Sequence, residues 1–414
     1  MTGYAAIRRF WKAVFTCVLI ASVLYSVRFF VDFRARVMVQ RYSDHVSDQI
    51  TRERRRLSSY RRPIVGGAPS DQNAAVWYRL AFSNVASAPD IVPEIRHLVE
   101  QRDHSAARAR VVFDGSCREV NRVRTRNALA CTHCDWEIGY KLNQASIVPF
   151  HSQAAILGYC KLLSGAISQD EAHRMEAAQS YVEALMISSD LAQGDLAMNL
   201  TSIVIARAAF LKLGGLVSEA GRDQALIESV GRQLSALEGH LPTINTGFRL
   251  TAMWMASGIL DEARRNSENR NGISRLVLPS TAVTAWHVAH YGRLLDSLRA
   301  AADSEDPTER AAEVNSELAQ HRNVITDQLP GGWASLSDDA SDLRQFLAAD
   351  LIAIDVQSWY VHHGEYPLGG VRDSLRTGAV GIRYQRSNDG QDYRITGKSH
   401  SGEPTVFVDW HVER

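Results

Sequence analysis

The strongest hydrophobic pattern in the chain is the apolar run AVFTCVLIASVLYSVRFFV, which covers Ala13 to Val31 and follows a short basic tail. The run contains a single charge, Arg28. A helix rises about 1.5 Å per residue, so the run would cover the hydrocarbon core of a bilayer, about 30 Å thick. Because no small-x-small cleavage site closes it, the run predicts a retained transmembrane helix and not a removed signal peptide. We assign residues 1–33 to an N-terminal tail and anchor.

The next segment, residues 34–70, combines an apolar stripe with positive charge. Apolar residues recur near the helical period at Val39, Tyr42, Val46 and Ile50. This spacing predicts that the helix continues beyond the anchor as a basic juxtamembrane segment. Pro63 and the Gly66–Pro69 turn end the pattern and form the best linker candidate.

From Asp71 to about residue 335 the pattern is helical and rich in alanine. Asp71 is placed to cap the first helix, which would run to about Val85. Further helices are predicted at 93–101, 116–130, 150–164, 169–192, 195–213, 219–237, 247–266, 281–302 and 308–327, with Gly214 and Gly215 closing one of them. Small and large side chains alternate, as at Ala177, Tyr181, Ala184 and Leu185. This texture favours stacked helix pairs, and we predict a helical bundle or an irregular solenoid of the tetratricopeptide (TPR-like) type, without a strict period.

The last segment, residues 336–414, changes from a helical to an alternating pattern. A helix is predicted at 338–363, followed by the stretches AVGIRYQR, DYRITGK and TVFVDWHV. Asp389-Gly390 between the first two is a hairpin signal, because such turns need positive φ. We therefore predict a small antiparallel β-meander packed on a helix. The expected fold class is mainly α, with a C-terminal α+β tail.

Charge narrows the class of partner. The chain carries 46 basic and 46 acidic residues, and its net charge is zero. Nucleic-acid binding depends on a basic excess, so nucleic acid is not expected as the main partner.

Arginines nevertheless cluster just after the anchor. They are Arg34, Arg36, Arg41, Arg52, Arg54, Arg55, Arg56, Arg61 and Arg62. The positive-inside rule would place the large domain in the cytoplasm, with these arginines against anionic lipid. The short N-terminal tail is instead typical of a signal anchor, and the cysteines suit an oxidising compartment. We favour a single-pass protein with its soluble domain outside the cytoplasm.

Two stretches resemble known proteins. LRQFLAADLIAIDVQSWYVHHGEYP followed by GIRYQRSNDGQDYRITG resembles the C-terminal part of type II secretion pseudopilins, through residues Tyr360, Gly364, Tyr366, Pro367, Tyr384, Asp389, Gly390 and Tyr393. The stretches NAAVWYRLAF and CDWEIGYKLNQASIVPFHSQAAILGYCKLLSGAI are similar to uncharacterised bacterial membrane-anchored helical proteins that end in such a tail. The prepilin-peptidase site of pseudopilins is missing. The resemblance implies an architecture and a place in the bacterial envelope, at the inner membrane with a periplasmic domain, and it implies no catalytic residues.

Five cysteines are present, and Cys17 lies in the anchor. The other four are Cys117, Cys131, Cys134 and Cys160. One interpretation pairs them as two disulfides, in any of three connectivities. A second builds a zinc site from Cys117, Cys131, Cys134 and either Cys160 or His151. A third treats the C-x-x-C motif at Cys131 and Cys134 as a redox dithiol, although the strand that precedes such motifs in thioredoxins is not predicted here.

Other candidate sites have simpler explanations. His287 and His290 share a helix face at a spacing that can hold a metal, but no third ligand is evident. Phosphate-binding, dinucleotide-binding and hydrolase motifs do not occur in the sequence. The function predicted from the sequence is a membrane-anchored, non-enzymatic protein that binds a protein or peptide or acts as a scaffold, and is associated with a secretion or envelope complex. The alternative is a metal-dependent enzyme or redox protein that uses the Cys131/Cys134 region.

Overall fold

The computed structural model describes the chain in segments. These are residues 2–62, 69–82, 119–136, 151–170, 172–194, 196–241, 245–247, 249–250, 333–368, 382–388, 392–398 and 404–410, with isolated positions between them. In this part of the chain the protein is mainly helical, with a small antiparallel sheet near the C-terminus. The helices predicted at 93–101, 281–302 and 308–327 lie outside the described residues, apart from isolated positions.

Helix α1 runs without a break from Thr2 to Ser59. Large apolar side chains of its first half are exposed, including Phe15 (70 %) and Tyr25 (73 %). This helix is long and apolar enough to span a membrane. A second helix, around Met198 to Ser218, passes the same test, but more than half of its apolar window is buried inside the protein, as in a core helix.

The character of α1 changes beyond the apolar run. Its buried residues include Ala35, Val46 and Leu57, which follow one another at intervals of three turns and so share one helix face. The predicted stripe of Val39, Tyr42 and Ile50 is half-buried on this face. The prediction that the helix continues past the apolar run is therefore confirmed.

The chain divides into two compact units. One comprises Met1–Arg52, Tyr140–Gln144 and Ala252–Ser297. The other comprises Glu53–Gly139, Ala145–Thr251 and Leu298–Arg414, so it holds both the central helices and the C-terminal sheet. The elements described below belong to this second unit.

A short parallel pair of strands lies next to two helices. Strand β1 (Ser70–Asn73) leads into α2 (Ala74–Phe82), and α3 (Glu119–Leu129) leads into β2 (Cys131–His133). The two strands pair in parallel, with Ser70 opposite Cys131, and α2 packs against α3. These strands were not predicted. Asp71 lies in β1, so the cap assigned to it is wrong, and Asn73 Oδ1 instead accepts the Ala75 N–H at 3.0 Å.

Within the described segments, four consecutive helices pack against one another. They are α4 (His151–Asp170), α5 (Arg174–Leu191), α6 (Leu196–Ser218) and α7 (Gln224–Leu237). Helix α4 packs on α5, α5 packs on α6, and Asp223 caps α7 by accepting the Leu226 N–H. Gly214 and Gly215 lie inside α6, which extends to Ser218, so the predicted C-cap at this pair is wrong. Packing of α6 against its neighbours keeps these glycines helical despite their low propensity.

Glycine allows the close approach of α4 to its neighbours. A Cβ atom at Gly165 would collide with the Tyr181 ring of α5, and one at Gly158 would collide with the Ile205 side chain of α6. The predicted alternation of small and large residues therefore acts here through direct contact between helices. Whether the arrangement is TPR-like or a bundle stays a prediction.

The C-terminal part contains one long helix and three strands. Helix α8 (Trp333–His363) packs against α6, α7 and a sheet of β3 (Arg383–Arg386), β4 (Tyr393–Lys398) and β5 (Pro404–Trp410). The sheet is antiparallel in the order β3-β4-β5. Phe346 of α8 meets Phe407 of β5 edge to face, with ring centroids 4.8 Å apart. The predicted meander on a helix is confirmed.

Tyrosines join the end of α8 to this sheet. Tyr366 stacks on Tyr360 with centroids 4.6 Å apart and lies 5.0 Å from the Tyr393 ring. Gln357 Nε2 donates to the Tyr393 hydroxyl at 3.3 Å and to the Ser218 carbonyl of α6 at 2.9 Å. Gly364 ends the helix with a positive φ of 74°, which glycine adopts easily. The four tyrosines that contribute to the pseudopilin resemblance, Tyr360, Tyr366, Tyr384 and Tyr393, thus form a packed aromatic cluster, and the resemblance itself stays a prediction.

Candidate functional site

The site is built where α1 ends and the chain enters the helical core. The Arg62 N–H donates to the Thr132 carbonyl of β2 at 3.0 Å, which holds the chain beside the strand pair. Asn73 secures the other side, because its Nδ2 donates to the Asp135 carbonyl at 2.7 Å and its Oδ1 accepts the Asp135 N–H at 2.9 Å. The backbone hydrogen bond from Arg62 to Thr132 thus fixes where the Arg62 side chain begins.

A buried ion pair lies at the centre. Arg62 Nε and Asp190 Oδ1 are 3.2 Å apart, and the two side chains are 1 % and 0 % exposed. Asp190 lies in the last turn of α5. Arg62 Nη2 also donates to the Ala128 carbonyl of α3. The pair therefore connects the residue just after α1 to two helices that are distant in sequence.

Two aromatic residues donate hydrogen bonds to Asp190. The Tyr78 hydroxyl of α2 donates to Asp190 Oδ2 at 2.7 Å, and Trp136 Nε1 donates to the Asp190 carbonyl at 2.7 Å. The two rings stack with centroids 5.7 Å apart and an angle of 17°. We call the set Arg62, Tyr78, Trp136 and Asp190 the Arg62–Asp190 junction.

The electrostatics of the junction follow from burial. Burial raises the pKa of the Asp190 carboxyl, while Arg62 and the bond from Tyr78 oppose that rise. Burial acts to lower the pKa of Arg62, but Asp190 and Tyr78 outweigh it, so the pKa lies above its usual value. Burial, and then Asp190, raises the pKa of the Tyr60 and Tyr78 hydroxyls, which therefore stay protonated. Arg62 is the group that sustains the negative charge of Asp190 in this dry environment.

The predicted thiols lie beside the junction. Cys131 and Cys134 are both buried and both free. Burial, with a contribution from Asp190, raises the pKa of the Cys134 thiol well above its usual value. Burial also raises the pKa of Cys131, whose Sγ–H donates to the Asn127 carbonyl at 3.2 Å. Both sulfurs are thus held as neutral thiols, the less nucleophilic form.

The other candidate ligands are dispersed. Cys160 is buried in α4 and is disulfide-bonded, and Cys117 lies outside the described residues. Cys131 and Cys134 are free, so the interpretation that pairs all four cysteines in two disulfides is wrong. No group of three or more His, Cys, Asp or Glu residues that could hold a metal occurs in the described segments. His287, His290 and the His151 side chain fall outside them, so the zinc hypothesis stays a prediction.

A second set of contacts ties the end of α1 to the same unit. Arg56 Nε lies 2.6 Å from Glu53 Oε2, and Arg56 Nη2 donates to Thr246 Oγ1 at 3.1 Å. Glu53 Oε1 lies 4.0 Å from Arg249 Nη1. The last turns of α1 are therefore joined to the helical core on two sides, through the junction and through Thr246 and Arg249.

Sequence reasoning identified Cys131 and Cys134 near the site and missed its centre. Arg62 was counted in the basic juxtamembrane segment, and Asp190, within the helix predicted at 169–192, was not chosen as a site residue. One signal was available in the sequence. Asp190 follows the apolar stretch Tyr181–Ile187 on the same predicted helix, and it puts a carboxylate where the core pattern of that helix continues. A lone carboxylate in such a pattern calls for a buried cation or hydroxyl partner.

Comparisons of the chain with protein-family models, with curated proteins and with solved structures found no match.

Proposed function

We propose that this protein is a membrane-anchored, non-enzymatic binding or scaffold protein of the bacterial envelope. In this proposal the apolar part of α1 spans the inner membrane once, and the helical core, periplasmic and TPR-like or bundled, binds a protein or peptide near a secretion or envelope complex. The pseudopilin-like tail would pack on that core as part of the same body.

One observation carries the proposal. The helix that contains the apolar run continues unbroken to Ser59, and Arg62, just past its end, is locked by a buried ion pair into the helical core. The last turns of this helix are thus connected to the helical core by a buried ion pair and not only by a linker. Such a connection suits a protein whose task is to hold a partner at a membrane.

The state of the thiols supports a non-enzymatic role over the redox alternative. A redox-active cysteine needs its thiolate, which a lowered pKa supplies. Here burial raises the pKa of both Cys131 and Cys134. The C-x-x-C motif therefore serves the packing around the strand pair.

Membrane fractionation tests the anchor. The Leu19→Arg/Leu24→Arg variant places two charges in the apolar run, where each is costly in hydrocarbon. We expect this variant to leave the membrane fraction after an alkaline wash, while the wild type stays. Val76→Arg/Leu80→Arg, which alters exposed apolar side chains of α2, is the matched control and should stay with the wild type. Membrane retention of the span variant would overturn the proposal.

A reporter after Arg414 tests the side of the membrane. Alkaline phosphatase folds to an active enzyme only in the oxidising periplasm, so we expect activity from this fusion and no fluorescence from a matched fusion to green fluorescent protein. The reverse pattern would place the helical core in the cytoplasm.

A further inference from the structure

The cysteines of the chain do not share one oxidation state. Cys160, in α4, is disulfide-bonded, whereas Cys17, Cys131 and Cys134 are free. The sequence contains one further cysteine, Cys117, which precedes α3 by two residues and lies outside the described residues. A disulfide needs two sulfurs, so the cysteine content of the chain leaves Cys117 as the partner of Cys160.

The backbone of β2 keeps the C-x-x-C motif open. The distance between the Cα atoms of Cys131 and Cys134 is set by the two residues between them, Thr132 and His133, and both belong to the strand. At about 3.3 Å per residue, an extended chain separates the two Cα atoms by about 10 Å. The Cα atoms of a disulfide lie at most about 7 Å apart. A bond between Cys131 and Cys134 is therefore incompatible with the folded strand.

Hydrogen bonds hold this stretch extended. Strand β1 pairs with β2, with Ser70 opposite Cys131. Just past the strand, Asn73 binds the Asp135 backbone through both polar atoms of its side chain, at 2.7 and 2.9 Å. Cys131 and Cys134 are also fully buried. Closing a disulfide at the motif would break the strand pair, so the folded protein favours the two thiols.

The chemistry of the bond calls for an oxidant. Two thiols that form a disulfide lose two protons and two electrons, and the disulfide of an oxidising thiol–disulfide protein accepts them and becomes a dithiol. If the unfolded chain is first oxidised at Cys131 and Cys134, attack by another thiolate passes that disulfide on as β2 forms. Disulfides of this kind persist in the oxidising periplasm and are rare in the cytosol.

We propose that this protein is a substrate of an oxidising thiol–disulfide protein of the envelope, which forms one disulfide, between Cys117 and Cys160. The C-x-x-C motif stays reduced because β2 stretches it. The bond closes a loop of the chain that contains α3 and β2, and such a loop restricts the unfolded chain. This inference rests on the periplasmic position in the proposed function and adds a covalent modification and the chemical class of one partner.

Differential alkylation of the full chain, purified from membranes after an acid quench, tests the inference. Free thiols are labelled with N-ethylmaleimide in denaturant, the disulfide is reduced, and the released thiols are labelled with iodoacetamide. Trypsin separates the sites, because Cys117 falls in residues 111–118, the C-x-x-C motif in residues 127–141 and Cys160 in residues 142–161. We expect maleimide on the C-x-x-C peptide and the second label on the other two. Without reduction, those two should appear as one cross-linked species.

Two variants separate the disulfide from the motif. Cys160→Ala removes one sulfur of the bond, so the cross-linked species should be lost and Cys117 should take up maleimide. Cys131→Ala/Cys134→Ala is the matched control, which removes two thiols and should keep the cross-linked species at the wild-type yield. Growth of the wild type with dithiothreitol should abolish the cross-linked species, and removal of the reductant should restore it.

The wild type decides the inference. A bond between Cys131 and Cys134, a bond from either of them to another cysteine, or maleimide on both Cys117 and Cys160 would overturn it. If the alkaline phosphatase fusion is active while Cys117 and Cys160 carry maleimide, the inference fails and the proposed function stands. If the green fluorescent protein fusion is the active one and both carry maleimide, the periplasmic position fails together with the inference.

Discussion

The Tyr78 hydroxyl and the Asp190 carboxylate are 2.7 Å apart, although 112 residues separate them in the chain. Tyr78 belongs to the short helix after β1, and Asp190 ends a core helix. Their hydrogen bond leaves the second carboxylate oxygen to Arg62. This division of one carboxylate between a phenol and a guanidinium is what joins three distant segments into a single buried junction.

The first prediction concerns the ion pair of the junction. Arg62→Met leaves the Asp190 carboxylate buried without its cation, and we expect the free energy of unfolding to fall by about 3–5 kcal/mol. Asp190→Asn should cost a similar amount. The double variant should lose less unfolding free energy than the sum of the two single losses. In each single variant one charge stays buried without its partner, and the double variant removes both charges. Chemical denaturation of the protein in nanodiscs, followed by tryptophan fluorescence, measures these energies. If the two single losses simply add in the double variant, the two side chains are not coupled. The control is Arg232→Met, at an exposed arginine, which should change the free energy of unfolding by less than about 0.5 kcal/mol.

The second prediction compares two glycines in helices. Gly165→Ala forces a Cβ into the Tyr181 ring, so we expect a loss of about 1–3 kcal/mol of unfolding free energy. Gly215→Ala meets nothing within 4 Å and removes the flexibility of a helical glycine, so it should stabilise by about 1 kcal/mol. Thermal unfolding of the two variants side by side should show a lower midpoint temperature for Gly165→Ala and a higher one for Gly215→Ala. Midpoint shifts in the same direction would show that α4 and α5 do not approach as described.

The third prediction concerns a buried carboxyl on α8. Asp350 is buried, its Oδ2 has no hydrogen-bond partner within the described segments, and burial raises its pKa well above the usual value. The folded state therefore holds a proton that the unfolded chain releases near pH 4, so the wild type loses stability as pH rises above about 4. Asp350→Asn lacks this loss. We expect its stability relative to the wild type to increase between about pH 4 and pH 8.

Denaturation at several pH values, with the variant and wild type in parallel, provides the measurement. A flat difference for Asp350→Asn would mean that the carboxyl is ionised in the folded protein.

The fourth prediction concerns the two free thiols. Because Cys131 and Cys134 are buried and burial raises the pKa of each, both should resist N-ethylmaleimide in the folded protein at neutral pH. Both should be modified quickly once denaturant unfolds the chain. Peptide mass spectrometry locates the adducts, and Asn73→Ala, which removes the side-chain bonds to Asp135, should speed the labelling of Cys134. Rapid modification of Cys131 or Cys134 in the folded wild type would restore the redox hypothesis.

Several elements of the fold could be predicted from short stretches of sequence. The apolar run from Ala13 to Val31 and the stripe around Val46 gave the long helix α1, because helical periodicity is a local property. Asp389-Gly390 and the alternating residues on either side gave the β3-β4 hairpin, since the turn fixes the pairing of its neighbours. The predictions failed where packing overrode local preference. Gly214 and Gly215 continue a helix, and Ser70–Asn73 forms a strand only because Cys131–His133 pairs with it.

The sequence by itself determined the long apolar N-terminal helix, the helical character of the core and the C-terminal hairpin, because each depends on residues that are close together in the chain. The tertiary structure alone decided that Arg62 is a buried partner of Asp190 while Arg55 remains in solvent, although both belong to one basic stretch. It also decided that Cys131 and Cys134 are shielded thiols. Burial and charge pairing depend on which distant segments of the chain pack together, and a local sequence pattern does not contain that information.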